Sequence, residues 1–72
     1  MSNLKKKRKE LGMSQALLAS KSGVSIRMIQ YYEQGAKDIN KASAETIYLL
    51  SKALNCRMEE IIDLDKKRSP IL

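Results

Sequence analysis

The sequence contains no histidine, no phenylalanine and no tryptophan, and only one cysteine and one proline. Each absence removes a class of chemistry. Without histidine and with Cys56 alone, neither a His/Cys zinc site nor histidine acid–base catalysis can be assembled. Cys56 has no partner for an internal disulfide, which points to the cytoplasm of a cell. Gly12, Gly23 and Gly35 stand apart from one another, so there is no glycine-rich phosphate loop. No apolar run approaches the roughly 18 residues of a membrane span, and the first residues lack the apolar stretch of a secretory signal. Eight carboxylates remain, none beside a plausible nucleophile in a chain too small to enclose a pocket. Enzyme activity, a cofactor, a metal and a membrane partner are therefore not expected.

What is present is aliphatic and basic. Apolar residues make up 43% of the 72, near the lower size at which one hydrophobic core suffices. That core has to be packed from Leu, Ile, Met and Val. The net charge of +6 lies entirely in residues 1–41, where nine Lys and Arg stand against Glu10, Glu33 and Asp38. Residues 42–72 carry five charges of each sign. Such a one-sided surplus suits a polyanion, although the run from Lys5 to Lys9 could equally serve to keep a helix soluble.

Punctuation divides the chain into five short helices and no strand. The first starts at about Asn3, taken as its N-cap, and stops at Gly12, with Leu4, Arg8 and Leu11 on one face. Ser14 caps a second helix over 15–22, closed by Gly23. Ser25 caps a third over 26–34, closed by Gly35. A polar loop follows over 36–42. Ser43 opens a fourth helix in which Ile47, Leu50 and Leu54 recur at helical spacing, and Asn55 closes it. A fifth short helix is expected over 58–62, with Glu59 and Glu60 in its first turn. Residues 63–72 read as a flexible tail, leaving 1–62 as the domain.

At about 100° per residue, Ile29 and Tyr32 of the third helix define a core face. Gln30, Gln34, Arg27 and Tyr31 share the opposite arc, a set with two amides, a guanidinium and a phenol but no carboxylate. Such groups hydrogen-bond base edges and phosphates. A merely solvated helix face is the alternative, and would more often carry Glu and Lys.

The segment QALLASKSGVSIRMIQYYEQ, residues 15–34, resembles the helix-turn-helix of the phage-repressor and Cro family, the XRE-type regulators. Leu18 and Ala19 stand where the two motif helices meet, with Ala19 small enough for a close crossing. Gly23 takes the turn position, and Val24, Ile29 and Tyr32 the buried ones. RKELGMSQ before the motif, EQG after it and IYLLSKALNCRMEEII beyond are similar to the flanking helices of that family, so the resemblance covers about residues 3–62. It implies an all-α, five-helix lambda-repressor-like domain that binds double-stranded DNA in a bacterial or phage-infected cytoplasm. Carried over by position, Ile26, Arg27, Gln30 and Tyr31 would read bases from the major groove. Gln15 would meet phosphate at the N-terminus of the second helix, and Lys37, Asn40 and Lys41 would follow a second stretch of phosphates. Arg8 and Glu33 match a pair that the family often joins as a salt bridge; the alternative is two independent surface charges.

The sequence departs from the family pattern in three places. Leu17 stands where a polar residue is usual, the loop 35–45 is about three residues longer than the common form, and Arg57 replaces the usual Ser or Thr cap of the last helix. Two functional classes follow. One is a transcriptional regulator, a repressor acting as a homodimer on a two-fold operator, paired through the fourth and fifth helices and the tail ending at Ile71 and Leu72. The other is an antitoxin or adaptor that holds a protein partner through Leu17, Tyr48 and Leu49.

Overall fold

The computed structural model describes residues 2–63. Within them run four α-helices: α1 (Asn3–Glu10), α2 (Gln15–Ser22), α3 (Ile26–Gln34) and α4 (Ala44–Ala53). Two 3-10 turns complete the order, Ile39–Lys41 before α4 and Met58–Glu60 after it. No strand occurs among the described residues. The fifth helix expected over 58–62 is thus a single 3-10 turn. Its cap is incomplete: the Glu60 carboxylate accepts from the Arg57 backbone N–H at 2.9 Å, but Arg57 carries only donors and cannot return the bond. Of the tail, only Asp63 lies within the described residues; 64–72, with Ile71 and Leu72, lie outside them.

Each helix opens on a serine whose hydroxyl accepts from the backbone N–H three residues on, which satisfies a donor that the helix itself cannot use. Ser14 serves Leu17, Ser25 serves Met28 and Ser43 serves Thr46. For α1 the cap is Ser2, which accepts from Lys5, not Asn3. Asn3 has another task, donating to the Ile62 carbonyl at 2.9 Å. The turn between α2 and α3 needs φ +79° at Gly23. A Cβ there would meet no atom within 4 Å, so backbone strain alone is what excludes other residues. Asn55 holds φ +52° after α4, a conformation Asn tolerates better than other side-chain-bearing residues.

The core joins Leu4, Leu18, Ile29, Tyr32, Ile39, Ile47, Leu50, Leu54 and Ile61, with Met13, Val24, Met28 and Ala53 packed on its margin. Every element supplies a buried residue except the Met58–Glu60 turn, of which Met58 packs on the margin and the following residue, Ile61, is fully buried. Two expectations are corrected here. Leu11 lies past the end of α1 as its C-cap and is half exposed, so it does not continue the Leu4–Arg8 face. The loop read as polar places Ile39, its one branched aliphatic residue, in the core.

α2 packs against both α3 and α4. Gln15 of α2 reaches side chains of α3, so Ala19, one turn further along, lies on the same face and packs against the core. Ala19→Leu should overfill this crossing and cost about 1–3 kcal/mol, a drop of several degrees in Tm for a domain of this size. A thermal melt unchanged from that of the parent would place the crossing elsewhere.

Candidate nucleic-acid interface

The surface that could meet a nucleic acid is assembled from α3 outward. Capping by Ser25 and closure at Gly35 fix the limits of α3. Ile29 and Tyr32 pin its inner face into the core. Ile26 and Arg27 are consequently exposed at its N-terminal end, while Gln30 and Tyr31 are half buried one turn later. Gln34, on the same arc, is exposed. An apolar side chain, a guanidinium, an amide and a phenol thus lie in sequence along a helix narrow enough to enter a major groove.

Beneath this face lies an ion pair that joins α1 to α3. Arg8 donates from Nε to Glu33 Oε2 at 2.7 Å and from Nη2 to Oε1 at 2.9 Å, a two-pronged contact. Its remaining nitrogen, Nη1, donates to the Met13 carbonyl at 2.7 Å. The side chains are 9% and 2% exposed. Burial by itself would push the Glu33 carboxyl up; the hydrogen bonds from Arg8 and Gln15, with the Arg8 charge, outweigh it and hold the group below the usual carboxylate range. The guanidinium is raised in turn by its hydrogen bonds to Glu33.

The same carboxylate reaches α2. Gln15 Nε2 donates to Glu33 Oε1 at 3.0 Å, and Gln15 Oε1 accepts from Gln30 Nε2 at 3.4 Å. A chain of contacts therefore runs from Arg8 through Glu33 and Gln15 to Gln30 on the outward arc. The first N–H groups of α2, at Gln15 and Ala16, precede the one that Ser14 caps at Leu17 and point along the helix axis, an arrangement suited to an anion.

Beyond α3, Lys37 and Lys41 are exposed on the loop, and Lys37 Nζ sits 5.9 Å from the centre of the Tyr31 ring. Asn40, expected to face phosphate, has a structural contact as well. It donates to the Asp63 carbonyl at 3.0 Å and accepts from the Asp63 N–H at 2.8 Å, so both ends of its amide are engaged. These bonds fasten the loop to the chain that leaves the core. The N-terminal basic run is also divided. Arg8 is buried against Glu33, and Lys7 bridges Glu10 at 3.5 Å and Glu60 at 3.2 Å. Fewer of those charges are free for an outside partner than composition suggests.

Neither the Glu33–Gln15–Gln30 link nor the Asn40–Asp63 fastening is foreseeable from the sequence. Both join residues 15 or more positions apart, and no local spacing marks them. Of the residues named for a protein partner, Leu17 and Tyr48 are 44% and 50% exposed, whereas Leu49 is half buried. No helix among the described residues is long and apolar enough to cross a membrane.

Compared with known proteins, residues 4–61 match a family model described as helix-turn-helix. No curated protein and no solved structure matches the chain.

Proposed function

The chain belongs to this helix-turn-helix family of the Cro/C1 type, and on that premise we propose that it is a sequence-specific DNA-binding transcriptional regulator, a repressor acting as a homodimer. The observation that carries this reading is the outward arc of α3, free of carboxylates and supported from below by a buried ion pair. Ile26, Arg27, Gln30 and Tyr31 read bases, and Gln15, Lys37, Asn40 and Lys41 meet phosphates, Asn40 with the N–H that its contact to Asp63 leaves over. One recognition helix touches too few base pairs for a unique site. Two-fold pairing sets two such helices about 34 Å apart on one face of the duplex. The pairing surface lies on α4 and the Met58–Glu60 turn, in the half of the chain that carries no net charge. A one-to-one complex on the tightest site selected from a randomised duplex library would rule the dimer out.

Arg27 carries the sharpest consequence. Its planar fork suits O6 and N7 of guanine, as the Gln30 amide suits N6 and N7 of adenine, and Ile26 can meet a thymine methyl. Arg27→Ala should cost about 1–3 kcal/mol on the best site and relax preference at one base pair per half-site. A phosphate clamp would instead lose affinity equally on good and poor sites. The ratio of specific to nonspecific affinity at one salt concentration separates the two. If the ratio survives both Arg27→Ala and Gln30→Ala, α3 does not read sequence.

The exposed Leu17 and Tyr48 favour a second reading, in which the domain is an antitoxin or adaptor holding a protein partner. Under that reading Leu17→Ser and Tyr48→Ser abolish partner binding and leave DNA affinity unchanged.

A further inference from the structure

We infer that Gln15 and Glu33 are positioning residues for base recognition, a relay that sets which way round the Gln30 amide is presented to DNA. The inference rests on the reading of α3 as the base-contacting helix.

An amide side chain has an accepting end and a donating end of nearly the same shape, so a free glutamine presents either with similar ease. Here the choice is made at Glu33. Its carboxyl is held ionised by the two bonds from Arg8, and an ionised carboxylate only accepts. The atom of Gln15 lying 3.0 Å from Glu33 Oε1 must therefore be its nitrogen, which turns the Gln15 oxygen toward Gln30. That oxygen in turn accepts only, so Gln30 presents nitrogen to it, at 3.4 Å.

After this contact Gln30 retains one N–H and its whole carbonyl. Adenine asks for that combination in the major groove, a donor to N7 and an acceptor from N6–H. The reversed amide would leave both N–H groups outward and suit the two acceptors of guanine. The relay thus discriminates between purines without Gln15 or Glu33 touching a base. Gln15 keeps a second N–H for phosphate, so it can serve both tasks.

The test breaks the relay at its middle and leaves the Arg8–Glu33 pair intact. Gln15→Lys retains a donor for Glu33 and a positive group for phosphate, but offers Gln30 no acceptor. Gln15→Met keeps the length and removes both ends, which covers the case in which the lysine perturbs the helix start. Base preference at each operator position is measured by competition against a randomised library, next to affinity for nonspecific duplex and the thermal melt. The expected result is a loss of about tenfold in the adenine preference at one position per half-site. Gln30→Ala should lose preference at that same position, and joining either Gln15 variant to Gln30→Ala should add nothing there. If Gln30→Ala erases the adenine preference while both Gln15 variants keep it, the relay is wrong and the recognition helix stands. If Gln30→Ala changes no preference while Arg27→Ala does, the relay is likewise wrong, because Gln30 reads nothing. Only when neither variant alters any preference does the reading of α3 fail with it.

Discussion

Replacing Arg8 with alanine is expected to cost about 3–5 kcal/mol, a large share of the stability of a domain of this size. The reason is what remains. Glu33 stays with its side chain only 2% exposed, stripped of the two bonds that offset its removal from water, and the Met13 carbonyl loses its donor as well. The loss measures an orphaned charge, and the net worth of the pair is a separate quantity. Replacing both partners by apolar residues of similar size, as in Arg8→Met with Glu33→Leu, should therefore recover most of it, because the desolvation penalty disappears together with the attraction. Chemical denaturation of the single and double variants checks both statements. If Arg8→Ala melts within about 1 kcal/mol of the parent, as exposed pairs do, the bridge has no structural role.

Acid should act on the same pair. The folded Glu33 carboxyl lies below its ordinary value, so the unfolded chain takes up its proton first as pH falls. The stability it contributes is complete above the ordinary carboxylate range and is lost as pH drops through the depressed folded value. In Glu33→Gln that particular loss should vanish, leaving a less stable domain with a flatter acid profile. A parent and a Glu33→Gln variant that lose stability in parallel as pH falls below the ordinary carboxylate range would contradict the assigned cause.

DNA affinity should fall by orders of magnitude with salt. Each phosphate neutralised by Lys, Arg or a helix end releases condensed counterions, so log K declines linearly with log salt at a slope near −0.9 per contact. If a dimer makes about 6–10 such contacts, raising salt from about 50 to 200 mM costs roughly 10³–10⁵ in affinity. Lys37→Ala and Lys41→Ala should each weaken all sequences alike and lower the slope by about one per subunit. Lys7→Ala should barely move it, because Lys7 is already turned to Glu10 and Glu60. Asn40→Ala has a second effect beside the loss of a phosphate donor. It removes the fastening to Asp63 and should act through loop position. A flat plot of log K against log salt would favour the protein-partner reading over DNA.

Three helices could be placed almost to the residue from the sequence, because their signals are local. Ser14 and Gly23 delimit α2, Ser25 and Gly35 delimit α3, and Ser43 with Asn55 brackets α4. A cap acts on backbone groups three residues away, and a positive φ is a property of one residue, so neither needs the rest of the fold. Helical spacing likewise sufficed to turn Ile29, Tyr32, Ile47, Leu50 and Leu54 inward, and it set Arg27, Gln30 and Tyr31 on one arc. The spacing rule failed where the helix had already ended, at Leu11. Acidic residues in a first turn did not suffice over 58–62, where Arg57 cannot close that turn and a 3-10 turn forms instead of a helix. Only the tertiary structure decided that Ile39 dips into the core from a polar loop, that Asn40 faces Asp63 and that Lys7 answers Glu60. The same holds for the link from Glu33 through Gln15 to Gln30. Each depends on elements distant in sequence arriving at hydrogen-bonding distance, and that distance is set by how α1, α2 and α3 pack, which no local pattern encodes.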